Sequence, residues 1–354
     1  MDSEIKKLLI VKMSALGDVV MTLPALAALK ERYPGAALDW LVEPAAAGLL
    51  DGHPALNRVL VSPRPVLKKL VSTGRLVSAR RLFSKFRQEL RQTEYDVVLD
   101  LQGLLKSGLM VGLARGRRKI GFARAREGSH FFLNEKMPPY DPERHAVRRY
   151  LDAAAYLGAA APEPGRPYFR PPEPARQRAE ALLGPAAGSD PVLLNPGAKW
   201  ATKRWPLDHW QVLARRLARE KVKLIVTGGP EDAAAAESIA DAAGPGAALN
   251  LCGGTSLPEL AAIMARTRLM VTADTGPLHL AAAVGAGGLA LFGPTRPQRT
   301  GPWGGDFEIL QPARPCLGCL KKKCPRPCLA ELTPETVWAR LAARLTDASR
   351  RASS

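Results

Sequence analysis

At 354 residues the chain is long for one domain and comfortable for two, each large enough to bury its own core. Its 51 Lys and Arg against 33 Asp and Glu give a net charge of +18, a field that recruits anionic partners. With 6% aromatic residues and no recognised nucleic-acid module, a non-enzymatic nucleic-acid or membrane binder ranks last.

The N-terminus is polar and charged, and the apolar run at 8–11 is too short for a signal peptide. Residues 280–292, the longest apolar stretch, carry three glycines and fall short of the ~20 residues a spanning helix needs. Five cysteines, one alone and four between 316 and 328, do not suggest a secreted disulfide framework. A reducing cytoplasmic compartment is expected.

Residues 7–12 have a strand pattern, followed by the turn Ser14-Ala15-Leu16-Gly17-Asp18 and a helical pattern over 19–32. Residues 37–42, 58–61 and 96–101 read as strands, the last two separated by basic amphipathic segments at 65–91. Ten Lys or Arg and one acid, Glu89, lie between Arg58 and Arg91, and six more basic residues lie at 115–126. Six prolines at 162–174 mark a linker. Strand patterns then resume at 192–195, 223–227, 269–272 and 289–292, alternating with helical patterns at 207–220, 233–243, 257–266 and 277–283. The chain closes on a helical pattern at 334–345.

Strands alternating with helices predict an α/β fold with two Rossmann-like domains facing across a cleft. The expected boundaries are 1–160, a linker at 161–190, a second domain at 191–333, and a final helix at 334–354 packing back toward the N-terminal domain.

Four segments carry chemistry. The strand–turn–helix at 11–18 offers free N–H groups to an anion. Asp18 is either a helix cap or a general base, and a helix N-terminus would favour its carboxylate form. The loop at 195–206 brings Lys199, Thr202, Lys203 and Arg204 to a phosphate pair, without Walker spacing. In the third, Asp274-Thr275-Gly276-Pro277 runs into a helix, with Pro near its first position and His279 close by. His279 either reaches the phosphates or satisfies the turn. The fourth is Cys316, Cys319, Cys324 and Cys328, which read as a zinc site, as reduced thiols in a loop, or as redox groups.

Together these segments resemble glycosyltransferase family 9, the lipopolysaccharide heptosyltransferases, over nearly the whole chain. The motifs are 11–18 with Thr22-Leu23-Pro24-Ala25-Leu26, then Asp100-Leu101-Gln102-Gly103-Leu104-Leu105-Lys106-Ser107, Lys203-Arg204-Trp205-Pro206, Gly228-Gly229-Pro230, Asp274 to His279, and Gly293-Pro294-Thr295. The first two look closest to heptosyltransferase I. The cysteine-rich segment departs from that pattern and is similar to other branches.

The resemblance implies a GT-B fold, an ADP-heptose donor, a Kdo–lipid A acceptor of the lipopolysaccharide core, and inversion without an obligatory metal. It implies Asp18 as base and Lys203 as diphosphate ligand. Ser14, Gly17, Thr202, Glu231, Asp232, Asp274, Thr275, Gly276 and His279 would complete the donor site. Arg64, Lys68, Lys69, Gln102, Arg117, Arg118 and Lys119 are the expected acceptor residues. A monomer is expected, resting on the cytoplasmic face of the inner membrane. Alternatives are a heptosyltransferase II-like enzyme or family 9 transferase of another sugar, a sugar-nucleotide epimerase on the same scaffold, and a non-enzymatic binder.

Overall fold

The computed structural model describes residues 5–163 and 165–352, with side chains to 346. The chain divides into two units, 1–163 and 164–354.

Unit 1 holds strands β1 (Lys7–Val11), β2 (Ala37–Val42), β3 (Arg58–Val61), β4 (Glu94–Asp100), β5 (Arg115–Phe122) and β6 (Glu135–Met137). They form one parallel sheet in the order β3-β2-β1-β4-β5-β6. Central strands of such a sheet are covered on both faces and read as continuous apolar runs. That is why Leu8, Leu9, Ile10 and Val11 are all fully buried. Below the sheet, Leu9, Val11, Leu41, Val98, Phe86, Leu90 and Val111 share one core.

Unit 2 repeats the plan with β7 (Val192–Asn195), β8 (Leu224–Val226), β9 (Ala248–Asn250), β10 (Leu269–Ala273), β11 (Gly287–Leu291) and β12 (Asp306–Leu310). All are parallel, in the order β12-β11-β10-β7-β8-β9. Its core joins Val192, Leu194, Val226 and Val271 to Trp205, Trp210 and Leu213.

Four strands were not anticipated: β5, β6, β9 and β12. The first half of β5, Arg-Gly-Arg-Arg-Lys, is partly exposed and reads as a charged patch, and only Ile120–Phe122 is fully buried. The helical pattern at 19–32 is broken into Leu16–Val20 and Leu23–Arg32. There Thr22 spends its hydroxyl on the Asp18 carbonyl at 2.7 Å, and Pro24 has no N–H to continue the ladder. The basic segment at 65–91 is two helices, Arg64–Ser72 and Leu76–Leu90, parted by Gly74 at φ +71°.

The expected linker at 161–190 contains a helix of unit 2, Glu173–Leu183, with Ala175, Ala179 and Leu183 buried. The final helix, Pro334–Ala352, sends Val337, Leu341 and Leu345 into the core of unit 2.

Candidate active site

In an open parallel sheet, ligands bind where two neighbouring strands lead their connections in opposite directions. In unit 1 those neighbours are β1 and β4, and the loops that follow them meet. Gln102 Oε1 accepts from the backbone N–H groups of Met13 at 3.1 Å and Ser14 at 3.0 Å. Asp100 ties down its own loop through the N–H groups of Gln102 and Gly103 and the Ser107 hydroxyl, at 2.9–3.1 Å. Burial pushes its carboxyl above the usual range, and those hydrogen bonds oppose it. Lys106 donates to the Ser14 hydroxyl and to Glu43 at 3.1 Å, and Glu43 also receives Arg64 at 3.1 Å.

Asp18 is the third residue of the helix Leu16–Val20, and Ala15 holds the cap position. The cap reading is thereby corrected: Asp18 reaches back to accept from Ala15 N–H at 3.2 Å, the reciprocal half of a capping box. Its other oxygen accepts from the Tyr150 hydroxyl at 3.3 Å. Tyr150, on the helix Ala146–Tyr156, accepts in turn from Lys12 Nζ at 2.7 Å. Lys12 also donates to the Leu101 carbonyl at 3.1 Å. Burial pushes the Lys12 ammonium down, with Asp18 and Asp100 opposing, and burial and then the Asp18 charge push the Tyr150 phenol well up. Beside Arg64 and Lys106 lies a cavity of about 200 Å³ lined by Leu67, Phe83, Phe86, Leu109 and Met110.

In unit 2 the switch falls between β10 and β7. Lys203, from the loop after β7, donates to the Asp274 carboxylate at 2.7 Å and to its carbonyl at 2.9 Å. Asp274 is buried at the end of β10 and faces His279 Nε2 at 3.6 Å. Burial alone would raise the Asp274 carboxyl. The His279 contact and the Lys203 charge outweigh it and hold the group at about 2. Thr275 caps the helix Gly276–Ala283, whose second residue is Pro277. His279 Nδ1 is buried and, among the described residues, without a hydrogen-bond partner. Asn195 binds the Thr227 carbonyl and hydroxyl, each at 3.2 Å, and so fastens the end of β7 to that of β8.

The match of residues 83–330 to the model of glycosyltransferase family 9 (heptosyltransferase) covers more than half the chain. The chain belongs to that family. It is 34% identical over 322 residues to lipopolysaccharide heptosyltransferase 1 of Pseudomonas aeruginosa, covering 90% of this chain and 87% of the relative. To the Escherichia coli K12 heptosyltransferase 1 it is 30% identical, covering 87% and 94%. The solved E. coli heptosyltransferase WaaC with ADP superimposes with a TM-score of 0.78 at 28% identity, over 96% of this chain and 99% of that one.

This family 9 glycosyltransferase gathers Asp18, Ser14, Gly17 and Gln102 at one end of unit 1. It gathers Thr202, Lys203, Asp274, Thr275, Gly276 and His279 at one end of unit 2. Thr202 turns its hydroxyl away from the others, to the Lys321 carbonyl at 2.7 Å. Asp232 accepts from Gly229 N–H at 3.1 Å and lies over Gly197, where a Cβ would stand 2.1 Å from its carboxylate. Glu231 beside it is exposed. Lys68 and Lys69 are exposed on the helix Arg64–Ser72.

Arg117, Arg118 and Lys119 lie on β5, where Arg118 and Lys119 pair in register with Val97 and Val98 of β4. Arg118 is held by Glu135 through two 2.8 Å bonds, and Arg117 lies 4.0 Å from Glu94.

The zinc expectation finds no support: among the described residues no group of three or more His, Cys, Asp or Glu is placed to hold a metal ion. Cys316, Cys319 and Cys324 are exposed free thiols, and Cys328 is buried against Gly293. The cysteine-rich segment instead braces the loops that follow β7 and β11. Gly318 and Leu320 donate their N–H groups to Gly293 and Pro294, and Lys322 stands 5.4 Å from the Trp200 ring centre.

Sequence reasoning assigned no role to Tyr150, Lys12, Glu43 or Lys106. Only Lys12 carries a local signal, a charge at the end of a buried apolar strand. Tyr150 lies 132 residues from Asp18 in the chain.

Proposed function

We propose that this transferase moves a heptose from ADP-heptose to the Kdo region of a lipopolysaccharide acceptor, inverting the anomeric carbon. The observation that carries the reading is Lys203, whose ammonium is fixed by buried Asp274 beside the N-terminus of the helix Gly276–Ala283. A fixed cation and a row of helix N–H groups suit a departing diphosphate. The E. coli WaaC structures, one with ADP and one with ADP-2-deoxy-2-fluoro heptose, support ADP-heptose as donor. Glu231 and Asp232, at the turn after β8, are assigned to the ribose hydroxyls.

In the reaction the bond from C1 to the phosphate oxygen breaks as an acceptor oxygen bonds to C1 from the opposite face. Lys203 and the helix terminus take up the negative charge on the leaving ADP. Asp18 accepts the acceptor hydroxyl's proton, and its ionised form suits a transfer late in the displacement, when C1 is already strongly positive. Arg64, Lys68, Lys69 and Gln102 are assigned to the acceptor. The apolar cavity beside Arg64 and Lys106 suits an anionic amphiphile. No helix among the described residues is long and apolar enough to cross a membrane. Exposed Val66, Val71, Leu76 and Val77 among the basic residues of helices Arg64–Ser72 and Leu76–Leu90 support contact with an anionic membrane surface.

Incubation with ADP-heptose and a Kdo–lipid A acceptor should yield a product heavier by one heptose. Transfer only from another nucleotide sugar overturns the donor. Asp18→Asn should lower kcat by about 10²–10⁴ with ADP affinity nearly unchanged, and a variant of near-full rate removes Asp18 from the chemistry.

A further inference from the structure

Asp18 is half-exposed, yet both its oxygens are engaged by protein donors, and one donor belongs to a chain of hydrogen bonds running inward. Tyr150 can donate only one proton, and it faces Asp18. The Tyr150 oxygen is occupied by Lys12, so its hydroxyl is oriented by the ammonium behind it. Lys12 and Tyr150 are 3% and 6% exposed, a depth at which an unpaired ammonium is costly. The Lys12 main chain is itself pinned: its carbonyl accepts from Trp40 Nε1 at 3.0 Å and its N–H donates to the Leu41 carbonyl.

We infer that Tyr150 and Lys12 are positioning residues for the base: Tyr150 fixes the rotamer of Asp18, and Lys12 orients the Tyr150 hydroxyl and places a buried cation behind it. The inference rests on the reading of Asp18 as base. One Asp18 oxygen is held by Ala15 N–H and the other by Tyr150, so the carboxylate plane is set and lone pairs remain for an acceptor hydroxyl. Neither Tyr150 nor Lys12 changes protonation in the reaction. The acceptor proton goes to Asp18 and leaves to solvent from its exposed edge.

Other charged or titratable groups also act on this cluster. Asp100 stands behind Lys12 at the end of β4, Lys106 faces it from the helix Leu105–Leu113, and Arg149 adjoins Tyr150 on its own helix. Arg149 is stacked 4.7 Å from the Tyr140 ring centre. Lys106 is paired with Glu43 and Asp100 is saturated by its own loop. That leaves Lys12 as the buried cation joined to Asp18 through a hydrogen-bond chain.

The test compares Tyr150→Phe, Lys12→Met and Asp18→Asn in the full chain, reading kcat, both KM values, the pH profile of kcat/KM, melting temperature and ADP binding. Tyr150→Phe should lower kcat about 10- to 100-fold with both KM values within about 3-fold, the scale of a misplaced catalytic group. Lys12→Met should move the acid limb of the profile up by about one pH unit, since a carboxylate without its counter-charge protonates more readily. Site-specific 3-fluorotyrosine at 150 keeps the shape and makes the phenol a stronger donor. It should move that limb to lower pH, and it serves if either replacement fails to fold. A Tyr150→Phe variant with unaltered melting temperature and kcat within twofold overturns the inference. So does an unmoved acid limb in both Lys12→Met and the fluorotyrosine protein. If those occur while Asp18→Asn is inactive, the base assignment survives alone. If Asp18→Asn is active, that assignment falls first.

Discussion

At Asp274, burial and pairing pull in opposite directions, and pairing wins. A carboxyl held at about 2 in the folded chain, against an ordinary 3.8, contributes stability that is complete above the ordinary value. That contribution is lost as pH falls through the folded value. Replacing it by Asn should therefore destabilise the chain at neutral pH, with the gap to wild type closing between about pH 4 and pH 2. Urea unfolding midpoints across that range check the sign: a gap that widens on acidification contradicts the pairing with Lys203 and His279. Lys203, Asp274 and His279 were all legible in the sequence, because each sits in a short motif beside a strand or helix end. Tyr150 was not. Its partner lies in a different element, and a single Tyr on an amphipathic helix has no spacing that distinguishes a buried hydrogen-bond donor from core.

At the scale of elements, the helices Arg64–Ser72 and Leu76–Leu90 carry most of their residues exposed, and only Ala79, Phe86 and Leu90 are buried. Apolar exposure interleaved with Lys and Arg is the pattern of a surface-lying helix. Lys68→Glu together with Lys69→Glu should weaken binding to vesicles containing anionic lipid, read by co-sedimentation, while leaving the melting temperature within about 2 °C, since neither side chain is buried. Unchanged vesicle binding would remove these helices from the proposed membrane contact. The basic amphipathic character of this segment was plain in the sequence, and so were eight of the twelve strands among the described residues. β5 was hidden because its first half is charged and partly exposed. β6 and β9, at three residues each, are too short to show a period.

For the molecule as a whole, the net charge of +18 acts at longer range than any single contact. Exposed charges are screened as the Debye length falls from about 10 Å at 0.1 M salt to about 3 Å at 1 M, whereas buried pairs are screened much less. With the donor at the proposed Lys203–Asp274 site, acceptor KM should therefore rise several-fold with added salt while ADP affinity changes less. Steady-state kinetics with isothermal titration of ADP separates the two, and equal salt dependence would contradict the division. The α/β class, the doubling into two units and the position of the loops that carry Asp18 and Lys203 were determined by the sequence itself. Hydrophobic periodicity and small-residue turns are local properties, and local physics reads them. The order of strands in each sheet was decided only by the tertiary structure. That order sets β1 beside β4 and β10 beside β7. It brings Gln102 to Ser14 and Lys203 to Asp274, and it closes the contact from Lys12 through Tyr150 to the carboxylate. Such pairings join residues far apart in the chain, and their energy comes from shared burial rather than from any neighbour in sequence.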